Sequence, residues 1–369
     1  MTVPLMDPHS QYLPVRDEIA AAIGEVLDSG RFILGPRVAE VEKSFAAHVG
    51  AAHGIGVANG TDALLIALRA LGVEPGDEVI CPSFTFYSTA ESIAAVGAVP
   101  VFADIEEETY NLDPAAVEAA VTARTRVVMP VHLFGHPAPM GPLREICEKH
   151  GLALLEDAAQ AYGASLGGVR CGALGDAATF SFFPTKNLPC FGDGGLITTS
   201  SADVDKMSRV LRFHGSEDKV TFTHIGYNSR LDELQAAILL RLQPLVDGWN
   251  DARIAAAARY EELGLGEHVV TPAVAPGARH IYHLYMVRTP ERDRLRAGLT
   301  EAGIASGLYY AKPLHLQPVF EHLGYAQDAL PVTERCAREC LALPMFPTLD
   351  EAAQRQVVDA VSALSPVRS

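Results

Sequence analysis

The chain has 369 residues and is 49% hydrophobic, enough to bury a large core and to build one large and one smaller domain. Its formal charge is 29 − 45 = −16 and it has no basic cluster, which disfavours a nucleic-acid partner. An anionic small molecule is not disfavoured, because local amides and a few Arg or Lys residues can make a pocket positive.

No run reaches the roughly 18 apolar residues of a membrane span. The start, MTVPLMDPHSQYL, lacks the basic-then-apolar order of a secretory leader. Cys81, Cys147, Cys171, Cys190, Cys336 and Cys340 are scattered without a CxxC pair, which suits reduced thiols and a cytoplasmic protein. Cys336 and Cys340 are four apart, so on a helix they would share one face as packing thiols.

In chain order, residues 50–200 alternate short apolar runs with amphipathic stretches. The runs are GIGVAN, DEVICPS, VPVFAD, RVVMPVH, LALLED, ATFSFF and GLITTS. This alternation predicts an α/β domain with a largely parallel sheet, whose ligands gather at the strands' carboxyl ends. After about residue 245 the pattern changes to a helix over Trp249–Leu263, a strand-like YHLYMVRT, a helix near Arg292–Ala302 and a terminal helix from Asp350. That part reads as a second, α+β domain, giving limits of 1–247 and 248–369.

In ANGTDALLIALRALG a strand ends at Asn59-Gly60, and Thr61 suits the N-cap of a helix whose apolar face carries Leu64, Leu65, Leu68 and Leu71. Free amides near Thr61 and Asp62 would bind a phosphate, and an ordinary capped helix is the alternative. In SFTFYSTAES, Phe84 and Phe86 alternate and so share one face of an extended chain, where one of them could stack on a flat ring or both could belong to the core. Lys186 follows the run FSFF and precedes GDGG, while Asp157 closes LALLED. A lysine can hold the aldehyde of pyridoxal phosphate as a Schiff base, and a carboxylate at another strand end can keep the pyridine nitrogen protonated.

The ordered segments ILGP, GTDAL, PSFTF, VHLFG, EDAAQAYGA, FSFFPTKNL with GDGG, FHG, GYNSRLDELQAA and PLHLQP resemble the sugar-nucleotide aminotransferases of the DegT/DnrJ/EryC1/StrS family over residues 3–360. The resemblance implies the fold type I architecture of pyridoxal phosphate enzymes: a large domain with a mostly parallel seven-stranded sheet and a smaller C-terminal α+β domain. It further implies that Lys186 is the Schiff-base lysine and then the general base, and that Asp157 pairs with the pyridine nitrogen. Gln160 matches the partner of the ring's phenolic oxygen and Phe86 the stacking ring. Gly60, Thr61, Asp62 and Ser181 match the phosphate cup. Asn228 matches an asparagine reached in from a neighbouring subunit, so a homodimer with shared sites is expected.

Arg230 is a candidate for an amino donor's carboxylate, which a guanidinium fork suits. An interface ion pair with Asp232 or Glu233 is the alternative. His214, Tyr310, Lys312 and His315 resemble substrate-side positions, although the family's HYP is replaced here by Tyr309-Tyr310-Ala311. No metal is implied.

The expected reaction is a ping-pong transamination, with L-glutamate as donor by resemblance and a keto sugar on dTDP or UDP as acceptor. Gln160 leans towards a 3-keto sugar, since relatives with histidine there tend to act on 4-keto sugars. A related dehydratase would carry histidine in place of Lys186. A cyclitol or other ketone as acceptor, and a non-catalytic regulatory member, are the remaining alternatives.

Overall fold

The computed structural model describes residues 2–364. The seven apolar runs become seven strands: β1 (His53–Val57), β2 (Glu78–Pro82), β3 (Val99–Ala103), β4 (Thr125–Val128), β5 (Ala153–Asp157), β6 (Ala177–Ser181) and β7 (Gly195–Thr199). They form one sheet in the order β1-β7-β6-β5-β4-β2-β3. Pairing is parallel from β3 through β2, β4 and β5 to β6, whereas β7 runs antiparallel to both β6 and β1. The mostly parallel seven-stranded sheet of the fold type I architecture is therefore present.

Strands β2 and β7 are buried along their whole length, as a sheet covered on both faces requires. Among the helices flanking the sheet are α1 (Pro36–Val49), α2 (Gly60–Ala70), α3 (Ser88–Ala95), α4 (Ala202–Arg212) and α5 (Glu233–Leu242). On one face Ile55, Val57 and Ile197 pack with Leu64 and Leu68 of α2. On the other, Phe180 and Leu196 pack with Phe45 of α1 and Leu239 of α5. Neighbours Leu196 and Ile197 thus serve opposite faces, as strand alternation dictates.

This topology brings the ends of β1, β5 and β6 to one edge. Gly195, the first residue of β7, pairs with both Val57 and Ser181. A Cβ at Gly195 would lie 2.3 Å from the carbonyl oxygen of Asn59, so only glycine lets β7 start there. The loop carrying Lys186 must turn at that same edge.

Helix α6 (Val246–Glu262) leads into the C-terminal part. It begins earlier than the expected Trp249 because a 3-10 turn, Gln243–Leu245, runs directly into it. Strands β8 (Tyr285–Arg288) and β9 (Cys340–Leu343) pair antiparallel, with helices α7 (Arg292–Glu301), α8 (Pro331–Glu339) and α9 (Glu351–Leu364) around them. Tyr260, Tyr285, Leu299, Leu343 and Val357 share a core that also takes in Val3 from the start of the chain.

Cys336 and Cys340 do not share a helix face: α8 stops at Glu339, and Cys340 opens β9. Both are buried free thiols. No helix among the described residues is long and apolar enough to cross a membrane. The outermost positions of the two expected domains, 1 and 365–369, lie outside the described residues.

Candidate active site

The first wall of the site is the turn from β1 into α2. Asn59 is extended (φ −163°) and its side chain accepts from the amide of Asp62 at 2.8 Å, so Asn59, not Thr61, is the N-cap. Its carbonyl also accepts from Ala63 at 3.1 Å, which starts the helix one residue before Thr61. Thr61 instead sits in the first turn, where its hydroxyl pairs with that of Ser88 at 2.8 Å. The amides of Gly60 and Thr61 have no acceptor within the helix, as geometry requires of its first residues. Gly60 faces Ser181 so closely that a Cβ there would lie 2.7 Å from the Ser181 Cβ. Of the residues expected for the cup, Gly60, Thr61 and Ser181 meet at two strand ends with Ser88 beside them, whereas the Asp62 amide is already taken by Asn59.

Asp157 ends β5 and is buried. Its Oδ2 accepts from the hydroxyl of Thr89 at 2.9 Å and its Oδ1 from the amide of Ala159 at 3.2 Å. Burial pushes the carboxyl above its ordinary value; the bonds from Thr89 and Ala159 and the charge of Lys186 pull it back only in part. A buried carboxylate so short of compensation suits a cationic ring nitrogen. Thr89 was not singled out from the sequence, because nothing local marks a threonine in α3 as the partner of a strand end 68 residues later.

Lys186 lies in the turn between β6 and β7, its amide donating to the carbonyl of Phe183 at 2.8 Å. Burial lowers its amine to about 8, against the opposing attraction of Asp157. A useful fraction of the amine is therefore neutral near pH 8, as a nucleophile or base requires.

Gln160 follows Asp157 and is held at both ends of its amide. Oε1 accepts from the Phe134 amide at 2.8 Å, and Nε2 donates to the Tyr310 hydroxyl at 3.1 Å. Phe134 sits in the left-handed region at φ 57°, a costly conformation that this bond supports. Phe84 and Phe86 do not share a face. The chain bends at this point, so that Phe84 is fully buried while Phe86 is 57% exposed, its ring 6.3 Å from that of Tyr310. Phe86 alone is free to cover a ring.

The remaining expected residues are more dispersed. His214, Asn228 and Lys312 are exposed, and Arg230 is half-buried. Ser229, between Asn228 and Arg230, accepts from the Ala58 amide at 3.1 Å, which anchors that segment at the end of β1. Glu233 caps α1 by accepting from the amides of Arg37 and Val38, so it is not available to Arg230. Among the described residues Arg230 forms no ion pair. His315 is buried, with Nδ1 on the Ser83 hydroxyl at 2.7 Å and Nε2 on Glu334 at 3.2 Å. Its ring nitrogens are thus engaged within the chain.

Beside Asp157, the buried group His132, Glu156 and Cys171 has the residue types of a metal site. The lone pairs of Glu156 and His132 are already spent. The carboxylate of Glu156 accepts from Gly172, Leu174 and Gly175 amides and from His132 Nε2, while the amide of Ala138 donates to His132 Nδ1. The group is a structural joint.

A helix start facing a strand end, a buried carboxylate and a lysine with a lowered pKa thus lie at one edge of a sheet with the fold type I architecture of pyridoxal phosphate enzymes. The chain belongs to the DegT/DnrJ/EryC1/StrS aminotransferase family, whose sequence profile matches residues 14–362. It is 51% identical over 365 residues, 98% of each chain, to the "Pleiotropic regulatory protein" of Geobacillus stearothermophilus. It is 45% identical over 349 residues to the UDP-N-acetyl-3-dehydro-alpha-D-glucosamine 3-aminotransferase of Acidithiobacillus ferrooxidans, covering 95% of this chain and 94% of that one. The crystal structure of S. venezuelae DesV in complex with a ketimine intermediate superposes with a TM-score of 0.97 at 44% identity, covering 100% of both chains. The protein is an aminotransferase dependent on pyridoxal phosphate.

Proposed function

We propose that the enzyme moves an amino group from L-glutamate to the 3-keto position of a deoxyhexose carried on dTDP or UDP. The observation that carries this reading is Gln160, fixed between the Phe134 amide and the Tyr310 hydroxyl. The Acidithiobacillus relative, named for amination at position 3 of a UDP sugar, supports it.

When bound, pyridoxal phosphate supplies an aldehyde that takes up nitrogen and a conjugated ring that withdraws electrons. The amides of Gly60 and Thr61 and the hydroxyls of Ser181 and Ser88 would hold its phosphate, aided by the positive end of α2. Asp157 would keep the proton on the ring nitrogen, Phe86 would cover the ring, and the second Nε2 hydrogen of Gln160 would serve the phenolic oxygen. Lys186 Nζ would take the proton from the substrate carbon and return it on the other side of the transfer. Arg230 suits the carboxylate of glutamate, while His214, Tyr310 and Lys312 suit the sugar and its diphosphate.

We further propose that two copies share each site through Asn228. The neighbouring loop supports this, since Val220, Phe222 and Ile225 are 80%, 61% and 84% exposed. The six buried free thiols support a reducing, cytoplasmic compartment. We place the change of domain at 247/248, in the first turn of α6.

The test is an absorbance spectrum with pyridoxal phosphate before and after L-glutamate, followed by mass spectrometry of products from 3-keto and 4-keto nucleotide sugars. An amine from the 3-keto sugar is expected. Amination of only the 4-keto sugar would move the carbon, and a glutamate response without either product would point to a cyclitol or other ketone. No response to glutamate would favour a regulatory role like that named for the Geobacillus relative, against which the intact Lys186, Asp157 and phosphate cup argue.

A further inference from the structure

The residue after Lys186 is held more firmly than any turn needs. Asn187 is buried, and its side-chain Nδ2 donates to Asn250 Oδ1 at 2.7 Å and to the Ile281 carbonyl at 3.3 Å. Its Oδ1 lies 3.0 Å from His283 Nδ1. The orientations are forced. Asn250 Nδ2 donates to the Tyr162 carbonyl at 3.1 Å, which turns Asn250 Oδ1 towards Asn187. The Ile281 carbonyl can only accept, which fixes Asn187 Nδ2 on that side. His283 must therefore donate from Nδ1. Burial and the nearby charges of Lys186 and Arg253 hold its imidazole neutral.

The backbone carbonyl of Asn187 is gripped from a further direction, by Nε2 of Gln11 at 3.1 Å. Gln11 is itself buried, in a short helix that Asp7 caps. The segment leading to it is stitched to the C-terminal part of the chain. Val3 pairs with Gly303 and Ala305, Leu5 accepts from Met345, and the Ser10 hydroxyl meets that of Thr348 at 2.6 Å. On its other side, Tyr12 lies ring to ring with Phe191, at 4.7 Å, in the loop of Lys186 itself.

We infer that Gln11 and Asn187 are positioning residues for Lys186, and that the segment 3–12 is a strap that fixes the lysine loop against the C-terminal part. The inference rests on Lys186 being the cofactor lysine. The lysine is bracketed: its own amide is bonded to Phe183, and the next residue is bonded to Gln11, Asn250, Ile281 and His283. With the backbone held on both sides, the side chain starts from a fixed point, and proton transfer depends steeply on such placement.

The test uses the full chain and Gln11→Met, which keeps the reach and removes the donor. Gln11→Asn, polar but too short, is the second variant. With holoenzyme, kcat for the glutamate half-reaction should fall about ten-fold while KM stays within about two-fold. With cofactor-free protein, acetic anhydride labelling of Lys186, read by peptide mass spectrometry across pH, should show a midpoint raised by about one unit towards an ordinary lysine. Unchanged kcat and an unchanged midpoint would overturn the inference, and so would a loss of folding in both variants, which would make Gln11 a stability residue. Borohydride reduction of wild-type holoenzyme tests the underlying assignment separately. A cofactor label on any peptide other than that of Lys186 would remove the assignment and the inference with it.

Discussion

The hydroxyl of Thr89 donates to the carboxylate of Asp157 at 2.9 Å, and Thr89 in turn lies 3.1 Å from the hydroxyl of Thr85. Burial already drives Asp157 towards its neutral form, and Thr89 is the first of the groups opposing that drive. A hydrogen bond to a charged group contributes about 1.5–3 kcal/mol. Thr89→Val, which keeps the shape, should therefore lower kcat by about ten- to a hundred-fold with little change in KM. Steady-state kinetics check this; a variant with wild-type kcat would show that Asp157 keeps its charge without Thr89.

Lys186 carries a stability consequence whose sign is opposite to that of most ion pairs. Its pKa falls from roughly 10.4 in the unfolded chain to about 8 in the fold. Unfolded protein thus binds the extra proton more tightly. The penalty is complete below about pH 8 and is relieved as pH rises from there to roughly 10.4. Asp157 softens the penalty and the neutral His283 does not. Cofactor-free Lys186→Met should melt higher than wild type by roughly 2 °C at pH 7, and lose that advantage above about pH 10. Melting curves at the two pH values decide it, and the same variant should show no turnover.

What could be read in advance was local. The strands were legible because each is a short apolar run between turns, and Lys186 and Asp157 could be singled out as candidates because they follow or close such runs. The misread features depend on where the chain goes next. Asn59 displaced Thr61 as the cap because its backbone is extended, and Phe84 and Phe86 parted because the segment bends. Contacts between distant segments left no local trace: Gln11 reaches Asn187 across 176 residues, and Ser83 reaches His315 across 232.

The loop before Asn228 leaves Ile225 84% exposed and Val220 80% exposed, which is unusual for apolar side chains unless another surface covers them. If two copies share each site as proposed, Ile225→Asp should leave the monomer fold intact and shift the protein from dimer to monomer in sedimentation. Cofactor retention should drop with it, because Asn228 would no longer reach the partner's site. A dimer that withstands the substitution would separate this loop from the interface.

Glu156 offers the sharpest test of the scaffold behind Asp157. Its Oε1 accepts from the amides of Leu174 and Gly175 at 2.7 and 2.6 Å, and its Oε2 from Gly172 and His132, both at 2.8 Å. A glutamine there is nearly the same shape but carries an NH2 group, which would point its hydrogens at amide donors on one side or the other. Because both sides are occupied by donors, no flip relieves the clash, and the Ala138 amide prevents His132 from reversing its tautomer. Glu156→Gln should destabilise the fold by about 3–5 kcal/mol, the range for breaking a buried charged network. Glu156→Asp keeps the charge but falls short of at least one amide pair, so it should cost less. Urea unfolding of both variants tests the order; equal losses would mean that reach, rather than the acceptor character of both oxygens, sets the stability of this joint.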